Sequence, residues 1–163
     1  MSEDPCIFEP ATYGNSTSRE EMDAAIKAII IPHLRELGFK GSAPHFRRDR
    51  DGACDVLTFD FFKAGGNFCI EIGRIVSGGF ISHGRQIEPK GYKTSYIKPS
   101  ERHRLGSVLT ANYGDHWFDF GDRDPADVAH WVLGELARPG LWNFISSLEP
   151  HQGHELGWVI GSG

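Results

Sequence analysis

The chain has 163 residues, of which 39% are hydrophobic, and a formal net charge of −5. A chain of this length buries about 68–70% of its unfolded surface, so the composition predicts one globular domain with its own core. No apolar run approaches the roughly 20 residues of a membrane-spanning helix, which argues against a membrane segment. The basic residues are mixed among acids, which argues against a broad phosphate-binding surface and against nucleic acid as a partner.

The first residues and the cysteines predict where the protein resides. Met1 to Pro5 carry acids where a signal peptide would carry lysine or arginine. Cys6, Cys54 and Cys69 form an odd set without CxxC spacing, so neither a disulfide framework nor a thiolate zinc site is indicated. These features predict a cytoplasmic protein with reduced cysteines and no cofactor.

A helix is predicted after residues 1–17, which lack periodicity and read as a flexible arm. Ser18 and Glu21 form a capping-box pattern, in which each side chain satisfies a free backbone N–H of the first turn. Pro32 lies inside the helix and predicts a kink near Ala28, and Gly38 ends it. The apolar stripe of this helix consists of Met22, Ile26, Ile29, Ile30, Leu34 and Leu37.

A three-stranded antiparallel meander follows, because the apolar pattern changes from period 3.6 to period 2 after Gly41. Asp51-Gly52 and Gly65-Gly66 are typical of tight hairpin turns. The predicted strands cover residues 45–50, 53–64 and 67–76.

The second half of the chain gives weaker signals. Residues 77–101 have no convincing period and predict a long loop or an irregular excursion. Strand patterns return at 104–110, where a helical turn is the alternative, and at 117–120. Asp124-Pro125 opens a helix, and a break at Pro139-Gly140 starts a short final one.

The order of elements predicts an α+β fold. An antiparallel meander of three to five strands is packed on one face by an N-terminal helix and two C-terminal helices. The single domain is expected to cover residues 18–148, between the arm and a glycine-rich C-terminal tail at 149–163.

Two-residue turns fix the register of the predicted meander. Ala64 would face Asn67, and Asp60 would then lie directly opposite Glu71. The wall facing the helices would consist of Leu57, Phe59, Phe61, Phe68, Ile70 and Ile72. The other face would be polar and would collect His45, Arg47, Thr58, Asp60 and Glu71.

Two carboxylates so close repel each other and need compensation by water, by Arg47 or Arg104, or by a cation. In the last case His45, Asp60 and Glu71 are the candidate catalytic and metal-ligating residues of a small metal-assisted hydrolase. Arg47, Thr58, Arg104 and Trp117 are the candidate binding residues. His151 and His154 have H-x-x-H spacing, for which chance is the better explanation.

Several motifs together resemble a known family. They are Leu37-Gly38-Phe39, Phe46-x-Arg48, Phe68-x-Ile70-x-Ile72-Gly73, Arg104-Leu105-Gly106 and Trp117. Their order over residues 22–145 resembles the bacterial domain of unknown function numbered 4304. The resemblance implies the order of the fold and carries no activity, cofactor or catalytic residue to this chain. Members of that family have an amide and small polar residues where this chain has Asp60-Phe61-Phe62.

Three functions follow from these observations. The first is a non-catalytic protein-binding domain, of the immunity or adaptor type, presenting the polar sheet face and residues 77–101 to a protein partner. The second is the hydrolase, and the third is nucleic-acid binding through Arg47, Arg50, Arg102 and Arg104. The chain would be a monomer or a homodimer formed along the edge strand 45–50.

Overall fold

The computed structural model describes residues 16–107 and 116–153. Within them the predicted α+β fold is confirmed, with an antiparallel sheet, an N-terminal helix and two C-terminal helices. None of the helices in these two ranges has the length and apolar character of a membrane-spanning segment.

Helix α1 consists of three consecutive segments, Arg19–Ala25, Ile26–Ile30 and Ile31–Glu36. Its first turn is closed by the predicted capping box, since Ser18 and Glu21 each accept a hydrogen bond from the backbone N–H of the other. The middle segment is π-helical and lies one turn before Pro32, because the proline ring and its missing N–H disturb the regular hydrogen-bond ladder there. The predicted kink near Ala28 is thus a local widening of one helix. Gly38 follows the helix with φ of +96°.

The meander is formed by β2 (His45–Arg50), β3 (Ala53–Phe61) and β4 (Asn67–Val76). Asp51 and Gly52 both have positive φ and make the predicted two-residue turn. The β2–β3 register is as predicted, with His45 opposite Thr58 and Phe46 opposite Leu57.

The predicted β3–β4 register is wrong by two residues. Phe61 faces Phe68, and Asp60 faces Cys69 rather than Glu71. The connection is longer than a two-residue turn, because the N–H of Phe62 already bonds to the carbonyl of Asn67 and leaves four residues, 63–66, in the loop. A shift of two keeps every side chain on its predicted face.

Short segments complete the sheet on both sides. Strand β1 (Lys40–Ser42), absent from the prediction, pairs with residues 45–47 of β2, so that part of β2 is not an edge. The outer side of β4 is lined by β8 (Phe118–Asp119), β7 (His103–Arg104) and a single bridge from His151. The strand predicted at 104–110 therefore covers only its first residue, and residues 108–110 lie outside the described part.

One face of the sheet carries the main core. It packs against α1, α2 (Pro125–Leu136) and α3 (Leu141–Ser146). The predicted wall is confirmed: Leu57, Phe59, Phe68, Ile70 and Ile72 are buried in this core and Phe61 packs against it.

The other face is covered rather than open. Residues 77–102 cross it as a small hairpin, β5 (Phe80–Ser82) and β6 (Arg85–Ile87), followed by three 3₁₀ turns at Pro89–Gly91, Thr94–Tyr96 and Pro99–Glu101. They bury a second apolar cluster made of Cys54, Val56, Ile75, Phe80, Ile87, Tyr92 and Ile97. The expectation of a solvated polar face is thus wrong over most of its area.

Candidate functional site

A polar row crosses the second face of the sheet. His45, Thr58, Glu71 and Arg104 are consecutive cross-strand partners on β2, β3, β4 and β7. Thr94 is fully buried within residues 77–102, which we call the covering segment, and it connects two members of the row. Its N–H donates to Oγ1 of Thr58 at 3.2 Å and its hydroxyl donates to Oε1 of Glu71 at 3.0 Å. Four predicted site residues therefore lie side by side.

The carboxylate of Glu71 is compensated within the protein. Besides the Thr94 hydroxyl, Nη1 of Arg102 lies 3.7 Å from its Oε2. Arg102 also donates from Nε to the carbonyl of Ile97 at 2.7 Å, which fixes it on the covering segment. Of the three predicted compensations, an arginine is the one found, but it is Arg102 rather than Arg47 or Arg104.

The environment of His45 disfavours its protonated form. Its Nδ1 lies 3.0 Å from Oγ1 of Thr58, which also accepts from the N–H of Thr94. Burial lowers the pKa of His45 from its usual 6.5, and the nearby charge of Lys93 lowers it further. His45 can accept a proton only at a cost in this environment.

The predicted hydrolase site is not assembled. Asp60 is exposed and faces Cys69, so it does not share a proton or a ligand position with Glu71 across the strands. Among residues 16–107 and 116–153, no three histidine, cysteine or carboxylate side chains come together in a group that could hold a metal ion. The error in register is what separates the two acids.

The four arginines proposed for nucleic acid do not share one surface. Arg50 points to the helix face, where its Nε lies 2.7 Å from Oδ2 of Asp55. Arg47 lies on the opposite face, since its strand partner is Val56 of the second cluster. Arg102 is held by Glu71, and the guanidinium of Arg104 lies 4.8 Å from the ring centre of Trp117.

A buried charge cluster was missed by the sequence interpretation. Asp55 is fully buried, and Arg48 and Arg50 both contact its Oδ2, at 3.0 and 2.7 Å. Nε of Arg74 lies 3.1 Å from its Oδ1. A charged residue within an apolar strand, opposite an arginine in the neighbouring strand, was the available signal.

This cluster has a structural role. Arg48 donates to the carbonyl of Leu37 at 2.8 Å, and Arg74 donates to the carbonyl of Ser146 at 2.9 Å. Arg50 donates to the carbonyl of Trp142 at 3.0 Å. The guanidiniums therefore tie the ends of α1 and α3 to the sheet.

An aromatic patch lies at the end of the second face that residues 77–102 do not cover. Phe62 is 49% exposed, and its ring meets that of Trp117 edge-on with 5.8 Å between the ring centres. The Arg104 guanidinium lies over the same Trp117 ring. We call Phe62, Trp117 and Arg104 the aromatic patch.

A cleft of about 330 Å³ adjoins the patch at the β3–β4 loop. Phe61, Phe62 and Phe120 give it an apolar lining, and Thr17, Arg19 and the loop residues form its rim. The arginine at the rim is engaged, because its Nε lies 3.1 Å from Oδ1 of Asp23 and its Cζ lies 3.5 Å above the Phe61 ring. Phe62 thus stands between an apolar cleft and an aromatic neighbour.

Comparison with known proteins agrees with this architecture and adds no activity. No curated protein and no solved structure gives a significant match. The profile of one family, described as Domain of unknown function (DUF4304), matches residues 30–145, which is most of the chain and most of the described fold. The family suggested by the Leu-Gly-Phe, strand and Arg-Leu-Gly motifs is therefore confirmed, and this chain belongs to the DUF4304 family.

Proposed function

We propose that this protein is a non-catalytic protein-binding domain whose partner docks on the aromatic patch. The observation that carries the proposal is the exposure of Phe62, at 49%, in a fold whose other large apolar side chains in the described ranges are buried or only partly exposed. An exposed large apolar side chain in an organised cluster is a feature of interaction surfaces.

The composition of the patch supports this role. Aromatic residues and arginine are enriched among the residues that contribute most to binding energy. Trp117 is held between Phe62 and Arg104, so little side-chain entropy is lost when a partner covers it. The partner we expect is a protein that places an aliphatic or aromatic side chain against Phe62 and into the adjoining cleft.

The alternatives have less support. The hydrolase needs Asp60 and Glu71 together, and they face different residues. Nucleic-acid binding needs its arginines on one surface, and Arg47 and Arg50 point to opposite faces. Cys54 and Cys69 are buried as thiols, which suits a reducing compartment, for which we propose the cytoplasm.

A photo-crosslinking experiment tests the proposal. A benzophenone amino acid placed at position 62 is expected to give one defined adduct with another protein in native cells. The same probe at Arg85, exposed on the β5–β6 hairpin, serves as the matched control. Adducts of equal pattern at both positions, or an adduct with a second copy of this chain, would contradict the proposal.

The captured partner is then tested with purified proteins. Phe62→Ser is expected to weaken binding at least tenfold, as the loss of a central aromatic anchor does. Lys98→Ser, on an exposed turn of the covering segment, should leave the affinity unchanged. Unchanged binding by Phe62→Ser would overturn the assignment of the patch, provided that its circular dichroism and melting temperature match the parent.

A further inference from the structure

A second cavity lies at the opposite end of the same face, beside His45. It has a volume of about 210 Å³ and opens between the β1–β2 turn and the covering segment. Its lining consists of Gly41, Ser42, Ala43, Pro44, His45, Phe46, Arg47, Lys90 and Tyr92. It shares no lining residue with the aromatic patch or the cleft at the β3–β4 loop.

The cavity has a positive charge that the protein does not neutralise. Arg47 and Lys90 line it, and no carboxylate does. Within the described ranges neither side chain forms an ion pair or a hydrogen bond. A third cation, Lys93, is close enough to lower the pKa of His45.

The surrounding acids are directed elsewhere. Glu71 reaches this region only through Thr94 and is paired with Arg102. Glu88 lies at the far side of Tyr92, near Gly79. Asp49 is on the same face of β2 as Arg47, but it is exposed and two residue pairs further along the strand. The charges of Glu88 and Asp49 contribute to raising the pKa of the Tyr92 hydroxyl, but the charged side chains that line the cavity itself are the cations Arg47 and Lys90.

The wall of the cavity is closely packed at Gly41 and held by hydrogen bonds at Tyr92. Gly41 has φ of +108°, and a Cβ at this position would lie 2.6 Å from the carbonyl oxygen of His45. Tyr92 is 2% exposed, and its hydroxyl donates to the carbonyl of Val76 at 2.6 Å and accepts from the N–H of Gly79 at 2.8 Å. These contacts fix both sides of the opening.

We propose that this cavity binds the phosphoryl group of a small phosphate ester, with Arg47 and Lys90 as its charge partners. A guanidinium beside an ammonium group is the combination that proteins use for phosphate, the first by paired hydrogen bonds and the second as a point charge. The volume is below the roughly 300–1,000 Å³ of sites for drug-sized ligands, so it suits a phosphoryl group with few carbon atoms.

The pKa of His45 is expected to report occupation of the cavity. The His45 ring is faced by Thr58 and, from the covering segment, by Lys93, and Glu71 lies beyond Thr94. A bound dianion opposes the charge of Lys93 and stabilises the imidazolium form. Occupation of the cavity therefore raises the pKa of His45, whereas nonspecific attraction of anions to the surface leaves it nearly unchanged.

An NMR titration with inorganic phosphate and phosphoserine tests the site against chloride at equal ionic strength. Saturable shifts are expected in the amides of residues 41–47, together with a rise in the pKa of His45 followed at its ring Cε1–H. Arg47→Gln and Lys90→Gln should each weaken binding at least tenfold while the rest of the spectrum is preserved. Lys63→Gln, an exposed lysine at the other end of the sheet, is the matched control.

The titration has results that would overturn the phosphate site, and one variant distinguishes its failure from failure of the aromatic patch. Shifts that do not saturate, that equal those in chloride, or that persist unchanged in Arg47→Gln and Lys90→Gln overturn the proposal. Because Phe62→Ser leaves this cavity intact, phosphate binding by that variant distinguishes failure of this site from failure of the aromatic patch.

Discussion

The two faces of the sheet are built in different ways. The helix face is covered by three helices with large apolar side chains, and a charged cluster around Asp55 closes one end. The second face is covered by a small hairpin and short turns, which bury a smaller apolar cluster, and by hydrogen bonds that involve Thr94 and Arg102. Because its apolar core is larger, the first face is expected to provide most of the stability.

The largest expected effect is the loss of the Asp55 charge. Asp55→Asn keeps the size of the side chain but leaves three guanidiniums facing a neutral amide in a buried site. Breaking a buried pair in this way costs about 3–5 kcal/mol, measured as the free energy of unfolding in urea. Asp49→Asn, one residue pair away and exposed, is the control and should stay within about 0.5 kcal/mol. Equal effects of the two variants would refute the assigned role of the cluster.

A substitution on the second face tests how closely it is covered. Gly73→Ala is expected to destabilise by about 1–3 kcal/mol, because the new Cβ would collide with Cδ1 of Ile97. Gly134→Ala in α2 meets nothing within 4 Å and should instead stabilise by roughly 0.5–1 kcal/mol.

A double mutant identifies the colliding atom. Ile97→Val removes Cδ1, so Gly73→Ala should cost clearly less in the Ile97→Val background than alone. Strict additivity of the two substitutions in urea unfolding would mean that residues 94–102 do not pack on the sheet as described.

The pH dependence of stability provides a smaller effect. Burial lowers the pKa values of His45, His103 and His116 from 6.5 in the folded protein. The unfolded chain therefore binds more protons as the pH falls below that value, and the free energy of unfolding decreases. The urea midpoint should fall between pH 7.5 and 5.5, and less steeply for His45→Gln. Identical slopes for His45→Gln and the parent would show that His45 is solvated.

Thiol reactivity gives the smallest and most local measure. Burial raises the pKa of Cys54 to about 11, and Asp49 adds to the shift. We expect iodoacetamide at pH 8 to label neither Cys54 nor the buried Cys69 in the folded protein, and both in urea. Labelling of Cys54 in the native state would indicate that the covering segment opens.

The sequence was informative where local chemistry decides structure. The Ser18–Glu21 cap, the Asp51-Gly52 turn and the helix starting after Asp124 depend on residues within a few positions of each other, and the structure has all three. The sequence also predicted correctly which side of the sheet each core residue faces. Successive side chains of a strand point to opposite faces, whichever residues the strand pairs with.

The features that were missed depend on contacts between distant residues. Because the β3–β4 loop is longer than predicted, the register shifts by two residues, and Asp60 is not paired with Glu71. Nothing near Glu71 in sequence indicates Arg102 or Thr94, which approach it only after residues 77–102 fold over the sheet. The Asp55 cluster likewise joins β2, β3 and β4 with the last helix.

The lining of β4 has a consequence for biosynthesis. Its outer side pairs with β7, β8 and His151, all of which are translated well after β4 itself. Until residues 103–151 are available to pair, this ten-residue strand has one unpaired side, with backbone groups ready to pair with any neighbouring chain. Incomplete chains that have released β4 but not its later partners should therefore be the species most in need of chaperones, whereas in the folded protein β7, β8 and His151 line this side.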